Sequence, residues 1–459
     1  MTEFPIQQTE DIPIWETLEE HLQNGDVDAV RHVVATLDPG EIPRVLSHIE
    51  LEERNQLLNL LDAETSAAWL EQLPDSQIAE ILDDLEPAVA APIVDTLPSN
   101  AQADVLGELE PESANAILEL MQPEEAEDAQ RLVQYPEDTA GGIMITEYLS
   151  YPENVTVGGV LDDLRAHTEE YQRHDVQYIY ITDVLGALKG VLRLRDLVLT
   201  PSHISVRQIM LTDLEWMPVD ARVEELQDFF ANRPYLGVPI VDADRKLLGV
   251  VRHADVAEAI SEQAASDHLK AQGIVGGEEL RTMPVVTRAW HRLSWLSINI
   301  VLNIIAASVI AMYQDTLSAV IVLAVFLPII SDMSGCSGNQ AVAVSMRELT
   351  LGIIRPSDVW RTWGKELSVG LINATALGAL LGLAAYIWKG NLVLSLVVAG
   401  ALGLNTLVAV SLGGLVPLFL RHMKMDPALA SGPILTTVTD MCGFFLVLSF
   451  ASATLSMIT

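Results

Sequence analysis

Cysteine is nearly absent. Only Cys336 and Cys442 occur in 459 residues. The segment 1–288 can therefore hold no disulfide framework, as expected of a domain in reducing cytoplasm. Basic residues are also scarce. Against 63 Asp+Glu there are 26 Lys+Arg, a formal net charge of −37. A surface so acidic repels phosphate, which excludes a nucleic-acid binder. No nucleophile–base motif, phosphate-binding glycine loop or metal-binding histidine pair occurs. The ten histidines, among them His21, His32, His48 and His167, are scattered, and an enzyme is disfavoured. The opening stretch, MTEFPIQQTEDIPIWE, lacks an apolar core and predicts no cleavable signal peptide.

Half of the residues are nonetheless hydrophobic, and mean hydropathy is +0.29. A chain this acidic is normally hydrophilic, so the average must join two unlike parts. A division after Arg288 separates them. Residues 1–288 hold 56 acidic and 18 basic residues, a net of −38, and residues 289–459 hold 7 and 8, a net of +1. The length also exceeds what one compact domain usually reaches.

The C-terminal part contains long charge-free stretches, and a spanning helix needs about 20 mostly apolar residues. They predict five membrane helices near 293–313, 317–343, 367–388, 392–420 and 431–457. With the preceding residues inside, the inner ends receive Arg288, Arg292, Arg347, Arg355, Arg361, Lys365, Arg421 and Lys424, while the outer loops receive Lys389 alone. That bias places the acidic part in the cytoplasm. Five crossings then leave the C-terminus outside.

Two carboxylates interrupt these helices. Each costs roughly 2.5–3.5 kcal/mol at membrane depth, which marks it as a functional candidate. Asp440 lies in SGPILTTVTDMCGFF and Asp332 in FLPIISDMSGCSGNQ. Pro328, four residues before Asp332, should kink the helix and free backbone carbonyls. Asn339 and Gln340 add amide oxygens, and Gly335 and Gly338 permit close helix approach. For Asp332 the plainer role is an interfacial helix cap. All the candidate ligands are oxygens, which suit Mg²⁺, Ca²⁺ or Mn²⁺ rather than copper or zinc. A path with few carboxylates and several neutral oxygens could pass Mg²⁺ largely hydrated. A proton or small-solute carrier using the same two acids is the alternative.

The segment 1–138 contains a repeat. Leu37, Ile49, Leu61, Leu73, Leu85, Leu97, Leu109 and Met121 recur at every twelfth position. Such a period suffices for a short helix and a turn, with proline favoured at the helix start. Helices so short cannot bury their apolar faces alone and should stack into a solenoid. This segment has 33 acidic and 4 basic residues, or −29. Most of those carboxylates simply face water, yet so much charge repels itself and would be relieved by bound cations.

YPEDTAGGIM, at 135–144, reads as a linker into alternating strands and helices. VQYIYITDVLGALKGVLRLRDLVL (176–199) and YLGVPIVDADRKLLGVVRHADVAEAI (235–260) match each other. Gly190 to Asp196 and Gly249 to Asp255 identify them as two CBS modules, at 139–200 and 201–260. In that family the helix-opening aspartate, here Asp196 or Asp255, can bind the ribose of an adenine nucleotide such as ATP, beside a Thr or Ser three residues earlier. Arg193 and Arg252 stand there instead. The following segment, within 255–290, reads as an amphipathic connecting helix, with Val256, Ala259, Ile260 and Ala264 near one face.

This order of parts resembles the MgtE family of magnesium channels over essentially the whole chain: an acidic helical repeat (1–138), PEDTAGG, tandem CBS modules, a connecting helix and a five-helix membrane domain (291–459). SGCSGNQ and DPALASGPILTTVTD carry the same resemblance. The resemblance implies a homodimer in the cell's inner membrane, with a pore at the subunit interface. Asp440 matches the pore carboxylate and Asp426 an acid at the cytoplasmic pore mouth. The connecting "plug" helix closes the pore when cytoplasmic Mg²⁺ bridges acidic residues. Glu224, Asp255, Glu258 and Asp267 match sensor positions, and Asp104 matches one member of an acidic pair whose partner here is Asn100. Pro234, Gln263 and Ser266 stand where other members place acids, and Cys336 where many carry Asn, so fewer or weaker sensor sites are expected. Mg²⁺ is the implied cargo, with Co²⁺ and Mn²⁺ as further candidates. The rival readings are a sodium- or proton-coupled exchanger, and a transporter regulated by adenine nucleotide.

Overall fold

The structure, a computed structural model, describes residues 13–171, 178–277, 279, 281, 283–423 and 425–458. Lys424, counted among the inner basic residues, lies outside the described residues. The chain divides into two compact units, residues 1–260 and 261–459.

The twelvefold period sets the phase of the first unit. Helical segments begin at Val27, Pro39, Leu51, Ala63, Asp75, Pro87, Ser99, Pro111 and Pro123, each at the twelfth position after the one before. Proline is the first residue of four of them, where its missing N–H costs no bond. The repeat leucines end one turn and precede the next helix. Leu73, Leu85, Leu97, Leu109 and Met121 are all buried there, in one continuous apolar core. The solenoid reading therefore holds, with helices of seven to ten residues after the first short turn.

Two small sheets follow. β1 (Leu149–Pro152), β2 (Tyr178–Thr182) and β3 (Leu188–Arg193) form one, in the order β1-β2-β3. β4 (Met217–Pro218), β5 (Gly237–Val241) and β6 (Leu247–Arg252) form the other, in the order β4-β5-β6. In each the first pair is parallel and the second antiparallel. The modules exchange edges. Ile145 bridges to Val250 on β6, and Leu211 bridges to Val191 on β3. Ala140, Ile143 and Met144 accordingly pack in the core of the second sheet, although they precede the first in sequence.

That exchange explains the glycine of each copy. A Cβ on Gly190 would lie 2.5 Å from the Met210 sulfur, and one on Gly249 would lie 2.8 Å from that of Met144. Gly249→Val is therefore expected to destabilise the first unit by about 1–3 kcal/mol through overpacking. Denaturant unfolding of the purified chain measures it.

The connecting helix, His253–Ala271, packs Val256, Ala259 and Ile260 on the core of the second sheet. Ala264, expected on the same face, is exposed. The helix ends before the left-handed glycines Gly273, Gly276 and Gly277, and the chain re-enters a helix only after Pro284.

Five long helices make up most of the second unit: Val285–Met312, Leu323–Thr350, Val359–Lys389, Leu392–His422 and Pro427–Ala453. Their edges differ from expectation where charge was used to end them. The first starts well before the expected position 293, because Glu279 accepts hydrogen bonds from Arg288 and Arg292 and satisfies its basic first turns. The third takes in Arg361, Lys365 and Glu366. The second is preceded by a short helix, Gln314–Ala319, and a break at the β-branched run Val320–Val322. Pro328 lies inside the second helix without ending it, at the cost of one i→i−4 backbone bond.

Four of the five are long and apolar enough to cross a membrane, with mean hydropathies of 1.8–2.2. The exception is Leu323–Thr350, equal in length to the first but rich in polar and small residues. Leu392–His422 is the most buried of the four apolar helices and packs against the second, third and fifth.

Candidate functional site

The two membrane carboxylates sit on facing helices. Asp440 lies mid-way along Pro427–Ala453 and is partly buried, and its carboxylate accepts a hydrogen bond from the Ser331 hydroxyl of the second helix. Asp332, the next residue along that helix, is exposed and lies more than two turns past the helix start, so it is not an interfacial cap. Cys336, Asn339 and Gln340 are exposed as well. Spacings of four and three or four put them with Asp332 on one face. Ser334, Gly335, Ser337 and Gly338 fill the opposite, buried face. There a Cβ on Gly338 would lie 2.8 Å from Leu435 of the fifth helix, and one on Gly413 of the fourth would meet the Gly338 carbonyl. The small residues bring three helices together, and the polar stripe is left outward.

Asp426 caps the fifth helix, accepting from the Ala428 N–H at 2.8 Å. Its other oxygen is 3.2 Å from the Lys270 ammonium, in the last turn of the connecting helix. The chain just after that helix runs close to other groups: a Cβ on Gly273 would meet the Trp295 ring, and one on Gly277 would meet Ser266 and Lys270. Lys270 was not singled out from the sequence, because its partner is remote along the chain.

The expected sensor residues are dispersed. Asp255, 5% exposed, receives the Arg252 backbone N–H at 3.0 Å and its guanidinium at 2.7–3.0 Å. The arginine in the Thr or Ser position thus occupies the carboxylate that a ribose would use. Asp196 is more open and contacts Arg195 at 3.5 Å. Glu258 is exposed, and Glu71 of the solenoid is its electrostatic neighbour. Partial burial raises the Glu71 carboxyl, Arg252 pulls it back, and Glu258 adds to the rise. Glu224, Asp267 and Asp104 are partly buried on the Val223–Ala231, connecting and Ser99–Glu108 helices respectively. Asn100, one turn before Asp104, has a buried side-chain oxygen without a partner.

A second carboxylate group joins the solenoid to the first CBS module. Pro98, before the Ser99–Glu108 helix, offers no side-chain cap. Glu147 supplies one from afar, accepting the Ser99 N–H at 2.7 Å and its hydroxyl at 2.8 Å. Burial raises the nearby Glu125 carboxyl, a Gln102 hydrogen bond opposes the rise, and Glu147, Asp95 and Asp128 reinforce it.

Among the described residues no three His, Cys, Asp or Glu side chains converge to hold a metal. Mg²⁺ keeps several waters and commonly uses one or two carboxylates, so paired acids such as Glu71 and Glu258 suit it better than a closed cage would. Millimolar Mg²⁺ is expected to raise the thermal midpoint of the cytoplasmic unit by several degrees, by relieving the −29 charge of the segment 1–138. A midpoint unmoved by millimolar Mg²⁺ would mean that the acidity is merely surface.

An acidic helical repeat, paired small sheets and a bundle of long apolar helices together define a multidomain membrane protein. Residues 327–450 match the family model described as MgtE, divalent cation transporter. Residues 37–138 match the MgtE intracellular N domain, and 206–262 the CBS domain. The magnesium transporter MgtE of Thermus thermophilus is 31% identical over 439 residues, covering 95% of this chain and 97% of that protein. The MgtE of Bacillus subtilis is 29% identical, covering 73% of this chain and 74% of that protein. The chain belongs to the MgtE family. Among solved structures it is similar to the cytosolic domain of the Mg²⁺ channel MgtE in complex with ATP, at 31% identity and a TM-score of 0.49, covering 53% of this chain and 99% of that one.

Proposed function

We propose that this chain transports Mg²⁺ into the cell across the inner membrane and that cytoplasmic Mg²⁺ closes the path. The exposed stripe of Asp332, Cys336, Asn339 and Gln340 on a helix at membrane depth carries the reading. Lipid does not tolerate such a face, so it lines water or meets another subunit. A homodimer with the stripe at its interface satisfies both conditions, and Asp440 lies beside the stripe. One carboxylate per chain with neutral oxygens around it attracts a hydrated divalent ion without holding it permanently. Relatives named as magnesium transporters support the choice of cargo.

The division of labour follows the sequence: residues 1–138 as acidic sensor, 139–200 and 201–260 as CBS modules, 255–290 as connecting plug, and 291–459 as the five-helix pore with its C-terminus outside. Asp104, Glu224, Glu258 and Asp267 bind regulatory Mg²⁺, with Glu71 opposite Glu258. Asp255 serves instead to fix Arg252. Closure places Lys270 on Asp426, a tethered cation at the pore mouth. ATP binds at the more open Asp196. Cation binding favours the closed arrangement because it relieves carboxylate repulsion there and not in the open one.

The purified chain in liposomes tests the transport step. A Mg²⁺ current should persist with sodium and proton gradients collapsed at a fixed voltage. Flux that stops with either gradient would make the protein an exchanger.

A further inference from the structure

Asn405 is the least expected polar residue of the bundle. It lies within Leu392–His422 and is 0% exposed. Its amide nitrogen donates to the Thr439 carbonyl at 3.0 Å, while its side-chain oxygen is buried without a partner. An orphaned buried acceptor costs about 1–3 kcal/mol. An amide kept at that cost is kept for its donor, and the donor grips the residue next to Asp440.

The fifth helix is shaped to receive it. A Cβ on Gly443 would lie 2.6 Å from the Asn405 nitrogen, so glycine leaves the notch that the amide fills. Thr439 is 0% exposed, and its hydroxyl turns back to the Thr436 carbonyl, away from competition for the amide. Leu435, also 0% exposed, locks against Gly338 one turn earlier. Residues 435, 439 and 443 thus form one inward stripe at spacings of four. Asp440 is turned about 100° from Thr439, at the margin of that stripe, where Ser331 meets its carboxylate.

We propose that Asn405 is the positioning residue for Asp440: by filling the Thr439–Gly443 notch it fixes the rotation of the fifth helix, and so the direction in which the carboxylate meets the hydrated divalent cation. This rests on the reading of Asp440 as the carboxylate that the ion meets. Asn405 touches no ion itself. It sets the fit between a fixed carboxylate and a cation of given hydrated size, and therefore the discrimination between Mg²⁺ and the larger Ca²⁺.

Full-length protein in liposomes tests this, with flux followed against external Mg²⁺ and against Ca²⁺. Asn405→Leu keeps the volume and removes the donor. Gly443→Ala leaves Asn405 intact and pushes its amide out of the notch. Both should raise the half-saturating Mg²⁺ concentration about two- to tenfold, the worth of one buried hydrogen bond. They should also change the Mg²⁺/Ca²⁺ flux ratio while maximal Mg²⁺ flux stays near that of the native protein. A fall in maximal flux alone, with half-saturation and cation ratio unchanged, would make Asn405 a packing residue and overturn the proposal, as would native behaviour. If Asn405→Leu does not fold, Gly443→Ala decides by the same criteria. Asp440→Asn in the same assay separates the two levels: native transport by that variant removes the reading beneath the proposal, whereas its loss beside native-like Asn405 variants removes the proposal alone.

Discussion

Replacing Asp440 by alanine should abolish Mg²⁺ uptake by this protein while leaving it folded in the membrane. Asp440 is partly buried, has Ser331 as its hydrogen-bond donor, and has no basic residue in its own helix. A carboxylate so placed is a net burden on insertion, by roughly 2.5–3.5 kcal/mol. Removing it should leave stability unchanged or improved. Losing the charge that draws a divalent cation to mid-membrane should reduce flux at least about tenfold, the equivalent of about 1.4 kcal/mol. Growth of a strain that depends on imported Mg²⁺, with membrane levels checked by immunoblot, reads both effects. Asp440→Glu should keep part of the flux, because the charge remains and only its reach changes. Unchanged uptake in the alanine variant would overturn the pore assignment.

Deleting residues 1–138 should have an equally large effect on a different quantity. That segment carries 33 of the 63 acidic residues and none of the membrane helices. Without it, uptake at low internal Mg²⁺ should persist, while suppression by millimolar internal Mg²⁺ should weaken about tenfold or more in apparent affinity. A regulatory ion can shift a conformational equilibrium only through its preference for one state, and the deletion removes Glu71 from the Glu71–Glu258 pair. It also removes Ser99, whose helix Glu147 caps, so the first CBS module loses a fixed neighbour. Loss of all uptake would mean that the solenoid is needed for the path itself.

Features with a period or a local chemical rule were legible in the sequence. The twelvefold spacing set the start of each helical segment from Val27 to Pro123, with a short turn at Pro39–Glu41 leading into Ile42–His48, because one proline or acidic turn recurs at each boundary. Charge-free runs located all five long helices, though not all of their ends, since Arg288, Arg361 and Lys365 are tolerated in helical turns and the second helix starts only at Leu323. Asp440 and Asp332 stood out because a carboxylate in an apolar run has few structural reasons to be there. Contacts between distant segments were not legible. The bridge of Ile145 to Val250 crosses from one CBS module to the other, and no pattern within either module announces it. Asn405 read as one polar residue in an apolar run, and only its place against Thr439 and Gly443 gives it a role. Asp255 stands out by its position in the motif, whereas the hydrogen bonds its carboxylate accepts from Arg252 follow only from the fold.

The most direct measurement is Mg²⁺ flux through the purified full-length protein in liposomes, with the Mg²⁺ concentration on the cytoplasmic face varied at constant voltage. The account predicts flux that is high when that face is free of Mg²⁺ and falls steeply as it reaches millimolar levels. Flux independent of cytoplasmic Mg²⁺, or no flux at all, would contradict it.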